Sequence, residues 1–115
     1  MTHTNPPIDM HPEHWAIVRD ILRTHIPHAC VWAFGSRVHG RAKPFSDLDL
    51  VIVADVPLNG VIRVSLCDDL CESDLPYKVD IVDWATTSAS FRQIITRNYV
   101  VIQAGGVSVA EDMTQ

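Results

Sequence analysis

Asp47 and Asp49 stand one residue apart at the start of an apolar run, LVIV at residues 50–53. Successive side chains of a β-strand point to opposite faces of its sheet. In a strand, the two carboxylates therefore share one face, and Leu48 and Leu50 share the other, which we expect to face the core. The pattern indicates a strand that buries one face and holds two like charges together on the other.

Helical and strand patterns alternate along the chain, which is typical of α/β proteins. Three short apolar runs predict strands, at residues 29–34, 47–54 and 79–84. Apolar residues at three- and four-residue steps predict helices at residues 12–26, at residues 60–73 and from Ser88 to residue 103, with a short helical turn and loop at residues 36–46. The end of the last helix, YVVI at residues 99–102, is β-branched and is also compatible with an edge strand.

The expected fold is α/β: one domain with a small mixed sheet that carries the carboxylates and has helices packed against it. Its elements follow the order α-β-(turn)-β-α-β-α. The chain has 115 residues, enough for one such domain and too few for two. We predict a flexible tail at residues 1–10, the domain at residues 11–104 and a second flexible tail at residues 105–115.

Charge and cysteine content exclude some classes of partner and site. The formal net charge is −5, whereas proteins that hold a nucleic-acid backbone are usually basic, so we expect no direct nucleic-acid binding. No stretch approaches the roughly 18 apolar residues of a membrane span, and the start resembles no secretion signal. Three cysteines without framework spacing predict reduced thiols and the cytoplasm. Cys67 and Cys71 lie one helical turn apart, but no nearby histidine completes a zinc set, which favours a packing role.

A third carboxylate, Asp80, lies inside the third predicted strand and points away from its apolar neighbours. If that strand lies beside the second, Asp80 joins Asp47 and Asp49 on one face, while Asp83 falls on the opposite face. Three carboxylates repel one another unless a cation neutralises them, and oxygen ligands suit Mg²⁺ or Mn²⁺. Two such ions about 3.5–4 Å apart clamp the attacking and leaving oxygens of a phosphoryl transfer, with a carboxylate free to act as base.

A Gly-Ser turn, Gly35-Ser36, ends the first strand eleven residues before Asp47. Glycine lets backbone approach a phosphate closely, and N–H groups at the start of a helical turn attract an anion. Basic residues that follow are candidates to neutralise a triphosphate: Arg37, Arg41 and Lys43. Neither the turn nor one aspartate is specific alone. Their combination favours a phosphoryl-transfer site.

The stretch GSRVHGRAKPFSDLDL resembles the signature of the DNA-polymerase-β-like nucleotidyltransferases, and KVDIVDW matches its third carboxylate. Over residues 12–103 the chain is similar to the minimal nucleotidyltransferase subgroup. The resemblance implies a nucleotidyltransferase catalytic domain in which two Mg²⁺ ions, or Mn²⁺, are bound by Asp47, Asp49 and Asp80, with Asp80 also a possible base. It implies that Gly35 and Ser36 hold the β- and γ-phosphates of ATP. The full set of expected nucleotide-binding residues is Gly35, Ser36, Arg37, Lys43 and Ser46.

The resemblance also implies a partner and a reaction. Antitoxins of this subgroup move AMP from ATP onto a tyrosine of a helical HEPN-type toxin, so we expect transfer of a nucleoside monophosphate to such a partner, encoded nearby. The alternative is a non-catalytic nucleotide-binding module that inhibits its partner by occlusion. Partner contact is one interpretation of Phe91, Ile95 and Tyr99 on the last helix, and core packing is the other. His39 is expected to be an exposed loop residue rather than a phosphate ligand.

Overall fold

The computed structural model describes residues 6–40 and 42–105. In this part of the chain the helices are α1 (Pro12–His25), α2 (Ser36–His39), α3 (Gly60–Glu72) and α4 (Ala89–Arg97), and the strands are β1 (Cys30–Phe34), β2 (Leu48–Val53), β3 (Val79–Asp83) and β4 (Tyr99–Gln103). A 3₁₀ turn, Trp84–Thr86, follows β3. None of these helices is both long and apolar enough to cross a membrane.

The strands form one mixed sheet in the order β3-β2-β1-β4. β1 pairs antiparallel with both β2 and β4, whereas β2 and β3 are parallel. Parallel neighbours require a crossover connection, and α3 supplies it. The expected α/β class, with a small mixed sheet and packed helices, is confirmed.

One face of the sheet packs against α1 and α3 to form the main core. Leu48 and Leu50 of β2 lie on this face and are fully buried, which confirms their predicted orientation. The other fully or nearly fully buried members of the cluster come from β1, β2, α1 and α3: Val31, Ala33, Ile52, Val18, Leu22, Leu66 and Leu70. Since Leu48 and Leu50 point to this face, Asp49 between them points to the opposite face of the sheet.

The opposite face carries a smaller cluster under α4. Ile95 is fully buried against Phe34 and Val51, and Phe91 lies edge-on to Phe34 with 5.8 Å between ring centroids. Tyr99 lies on β4, where it stacks on Trp32 at 4.1 Å. The placement of Tyr99 on the last helix with Phe91 and Ile95 is therefore wrong, whereas the core-packing alternative is confirmed for Phe91 and Ile95.

The last helix is shorter than expected. It ends at Arg97, and residues 99–103 form β4 on the free edge of β1, which confirms the edge-strand alternative. β-branched residues favour strand over helix. Gln103 fixes the end of the strand, because its side-chain amide donates to the carbonyls of Ile26 at 2.7 Å and Ala29 at 2.8 Å.

The first expected tail is partly packed on the domain. Ile8 and Met10 contact the main core, and the Asp9 N–H donates to the Arg37 carbonyl at 2.8 Å. Residues 8–10 therefore differ from the loose segment that the polar sequence predicted. Of the predicted tails, residues 1–5 and 106–115 lie outside the described residues.

Asp83 lies on the core side of β3, where its side chain is buried. It accepts a hydrogen bond from the Leu58 N–H at 3.0 Å and pairs with Arg63. Asp83→Asn removes the charge from this pair, so we expect the free energy of unfolding to fall by about 1–3 kcal/mol in urea denaturation. The same change at exposed Asp55 is expected to stay within about 0.5 kcal/mol. Equal losses at the two positions would contradict the structural role of Asp83.

Candidate active site

β2 and β3 place two of the predicted carboxylates side by side. Asp49 and Asp80 are register partners in the parallel pair, on the face away from α1 and α3. Adjacent strands lie about 4.8 Å apart, so these side chains are neighbours. Asp47 is exposed and immediately precedes β2, where the Leu48 N–H donates to the Lys78 carbonyl at 2.9 Å. All three aspartates thus lie where β2 and β3 begin.

Burial and like charge act together on Asp49. Desolvation raises the pKa of its carboxyl above the ordinary value of 3.8, and the negative charges of Asp80 and Asp47 raise it further. A carboxylate with this environment favours the binding of a proton or a cation. Asp49 and Asp80 therefore lie close together on one face of the sheet, as the sequence pattern indicated.

Lys78 is a neighbour of the site that the sequence interpretation missed. Its Nζ lies 3.3 Å from Asp80 Oδ1, and both side chains are solvent-exposed. Exposed ion pairs of this kind contribute little stability. The signal was available, because Lys78 precedes Asp80 by two residues and side chains two apart in extended chain share a side.

The donor set fits a hard divalent cation. Carboxylate oxygens are the ligands that Mg²⁺ and Mn²⁺ prefer. A bound cation would neutralise the negative charge of Asp49, which burial and its acidic neighbours disfavour. Across residues 6–40 and 42–105, no group of three or more His, Cys, Asp or Glu side chains is placed as a ready metal cage, and this includes the predicted set Asp47, Asp49 and Asp80. Support for a metal site therefore comes from the strand register and the donor chemistry.

The Gly-Ser turn packs directly against the carboxylates. Gly35 has φ 85° and ψ −158°, a conformation that is essentially restricted to glycine. A Cβ at Gly35 would overlap Oδ2 of Asp49 and lie 3.3 Å from its Cγ. Ser36 begins α2, and the Gly35 carbonyl accepts the Val38 N–H at 3.0 Å. The predicted phosphate turn and the predicted metal carboxylate are thus in contact.

The remaining predicted nucleotide ligands make contacts within the loop before β2. Arg37 is buried, and its guanidinium is directed into the loop before β2. Lys43 is exposed, and its N–H donates to the Ser46 hydroxyl at 2.8 Å, so Ser46 closes a turn. His39 is exposed, as expected, and lies 2.7 Å from the Asn98 amide. Arg41 lies outside the described residues.

Comparison with known proteins agrees with this geometry. Residues 17–104 match the family described as Polymerase beta, Nucleotidyltransferase. The chain belongs to this nucleotidyltransferase family. It is 53% identical over 96 residues to the probable protein adenylyltransferase MntA of Haemophilus influenzae (strain Rd), covering 84% of each chain. The resemblance to minimal nucleotidyltransferases is confirmed.

Solved structures show the same fold. The crystal structure of a toxin–antitoxin with AMP-PNP matches with a TM-score of 0.65 and 26% identity, covering 78% of this chain and 73% of that one. A tri-AMPylated Shewanella oneidensis HEPN toxin in complex with its MNT antitoxin matches with a TM-score of 0.62 and 24% identity, covering 84% of this chain and 75% of that one. At that identity the second match supports the fold alone.

Because Gly35 is in contact with Asp49, we predict that alanine at Gly35 reduces nucleotidyl transfer, whereas alanine at Gly40 does not. Gly35→Ala forces the new Cβ onto Asp49, so we expect nucleotidyl transfer to fall about 100-fold, as for a 1 Å misplacement of a reacting group. Gly40 also has positive φ, 75°, but open space where its Cβ would lie. Gly40→Ala should cost about 1–2 kcal/mol of stability and leave transfer intact. Equal losses of transfer, measured on folded protein, would contradict the contact argument.

The raised pKa of Asp49 predicts a pH-dependent stability in chelator. The folded chain binds this proton more tightly than the unfolded chain, so the contribution of Asp49 is fully present below 3.8 and is lost as the pH rises through the raised value. Asp49→Asn should therefore raise the melting temperature at pH 7 in EDTA, and its advantage should shrink toward acid pH. An advantage that grew on acidification, or that Asp55→Asn shared, would contradict this.

Proposed function

We propose that this chain is an Mg²⁺-dependent adenylyltransferase that moves AMP from ATP onto a tyrosine hydroxyl of a helical HEPN-type partner and thereby acts as its antitoxin. The observation that carries the proposal is the pairing of Asp49 with Asp80 on one sheet face, with Gly35 packed against Asp49. The cytoplasm remains the proposed compartment, because the three cysteines are free thiols.

The proposed chemistry assigns each residue of the site a task. Ser36 and the backbone at the start of α2 bind the β- and γ-phosphates, where helical N–H groups point outward. Asp47, Asp49 and Asp80 hold two Mg²⁺ ions, which supply charge neutralisation for the departing pyrophosphate. Asp80 accepts the proton of the acceptor hydroxyl. The acceptor oxygen bonds to the α-phosphorus of ATP as the bond to the β-phosphate oxygen breaks, and pyrophosphate leaves.

The surface around the carboxylates supports an acceptor supplied by another protein. Asp47 and Lys78 are both exposed, and Phe45, two residues before Asp47, is 72% exposed. An exposed aromatic side chain beside a polar site is typical of protein interfaces. The solved structures that this chain resembles include a toxin–antitoxin with AMP-PNP, at 26% identity, which supports a toxin partner here.

The intact mass of the partner tests the proposal. After incubation of a purified HEPN-type partner with this chain, ATP and Mg²⁺, we expect the partner to gain mass in steps of one AMP, and tandem mass spectrometry should place each step on tyrosine. Asp47→Asn/Asp49→Asn should abolish the gain, since it removes the carboxylates that hold the cation. EDTA should abolish it with the wild-type chain.

Two control variants separate chemistry from folding. Asp80→Asn should abolish transfer, whereas Asp83→Asn, on the same strand but the opposite face, should still transfer below its melting temperature. A gain that persists in the double variant would refute the metal-dependent mechanism. A partner that is inhibited without ATP, equally well by wild type and double variant, would instead establish occlusion.

A further inference from the structure

Arg37 is the most heavily hydrogen-bonded side chain near the site. It is 5% exposed, and its guanidinium donates to backbone carbonyls of the N-terminal segment and of the loop before β2. The acceptors are Asp9 at 3.0 Å, Lys43 at 3.4 Å, Pro44 at 3.2 Å and Ser46 at 3.0 and 2.8 Å. The salt bridges of the described residues do not include Arg37. A buried cation is tolerated only when its donors are satisfied, and here carbonyl oxygens satisfy them.

Two of these bonds, one of them the shortest, reach the peptide that leads into the site. Nε and Nη2 of Arg37 both donate to the Ser46 carbonyl, which belongs to the Ser46–Asp47 peptide bond. That peptide is planar, so fixing its oxygen also fixes the nitrogen of Asp47. Asp47 itself precedes β2 and is exposed, so the sheet holds it from its C-terminal side only. Arg37 supplies a constraint from the N-terminal side, in addition to the turn between Lys43 and Ser46.

The same guanidinium also contacts the approach to β3. Its central carbon lies 3.8 Å from the centroid of the Tyr77 ring, a cation–π distance. Tyr77 is buried and precedes Asp80 by three residues. Arg37 follows Ser36 directly in the chain. One side chain therefore connects the phosphate turn, the loop that ends at Asp47 and the segment that enters β3.

On the transferase function proposed above, we infer that Arg37 is a positioning residue: it holds the Ser46–Asp47 peptide so that Asp47 faces Asp49 and the cation they share. It does not bind the triphosphate, since its donors are directed to backbone carbonyls. Its planar fork is what the geometry uses, because Nε and Nη2 converge on the Ser46 oxygen, Nη2 also reaches the Pro44 carbonyl, and Nη1 reaches the Asp9 carbonyl. Lysine offers charge without that fork.

Direct metal binding tests this role without reference to turnover. Free Mn²⁺ is measured by electron paramagnetic resonance as it is titrated into the full chain without nucleotide, below the melting temperature of every variant. Wild type should bind Mn²⁺, and Asp47→Asn/Asp49→Asn should not. Arg37→Gln should weaken the affinity about 10–100-fold, the usual effect of losing a group that orients a metal ligand. Arg37→Lys should fail to restore it.

Arg92 provides a matched control. It also donates twice to one carbonyl, that of Trp84 at 3.1 and 2.7 Å, and lies 4.8 Å above the Trp84 ring, but it makes none of the contacts to the loop before Asp47. Arg92→Gln should keep wild-type Mn²⁺ affinity. Wild-type affinity in folded Arg37→Gln, full rescue by Arg37→Lys, or an equal loss in Arg92→Gln would each overturn the positioning role. Absence of aspartate-dependent Mn²⁺ binding in wild type would overturn the metal-dependent function itself, and this role with it.

Tyr77 keeps the test decisive if Arg37→Gln does not fold. Tyr77→Leu removes the ring that stacks on Arg37 and should weaken Mn²⁺ binding roughly threefold. Tyr77→Phe keeps the ring, and it removes a buried hydroxyl that has no hydrogen-bond partner in the described structure. The phenylalanine variant should therefore bind Mn²⁺ like wild type. Equal affinity in the leucine and phenylalanine variants would contradict the coupling through Arg37.

Discussion

Repulsion among Asp47, Asp49 and Asp80 is the constraint on which the rest of the structure depends. Two unit charges 4 Å apart near a protein surface repel by about 4 kcal/mol, and the register of β2 and β3 keeps two of them adjacent. Opposing this, full burial of a leucine side chain contributes about 1.5–3 kcal/mol. Leu48 and Leu50 are both fully buried on the other face of the same strand. The free energy gained by burying Leu48 and Leu50 is thus of the same order as the repulsion between the carboxylates, and it can hold them together.

Alternation along a strand also explains how one short segment carries two unrelated acidic groups. Asp80 and Asp83 lie three residues apart on β3, so they point to opposite faces. Asp83 meets Arg63 and the Leu58 N–H and stabilises the connection through α3. Asp80 pairs with the exposed Lys78 and lies beside Asp49 on the neighbouring strand. The effect of a substitution at Asp80 or Asp83 therefore depends on which face of the sheet the side chain points to, and not on its being an aspartate.

Local pattern predicted most of this fold and the centre of its site. The period of two in residues 47–53 predicted both faces of β2. Asp80 was expected beside Asp49 only if the third strand lay next to the second, which is the arrangement found. The end of the chain was ambiguous, because residues 99–103 become a strand only by pairing with the free edge of β1. Arg37 was misplaced for a similar reason. Its position after Ser36 suggested a phosphate contact, but its burial depends on carbonyls from segments distant in sequence and on Tyr77.

The site is held together by features that do not favour the isolated fold. Gly35 adopts a conformation that other residues avoid, and Asp49 is ionised only against burial and like charge. On the proposed function, both become favourable once a divalent cation and a polyphosphate bind: the cation would relieve Asp49, and the turn at Gly35 would admit a phosphate oxygen where a side chain would stand. Any ligand that binds only the folded chain stabilises it by mass action. On the proposed function, the strain in this site is therefore a store of binding free energy for the nucleotide and its metal, and the inferred role of Arg37 is to hold the loop before Asp47 in place while that ligand is absent.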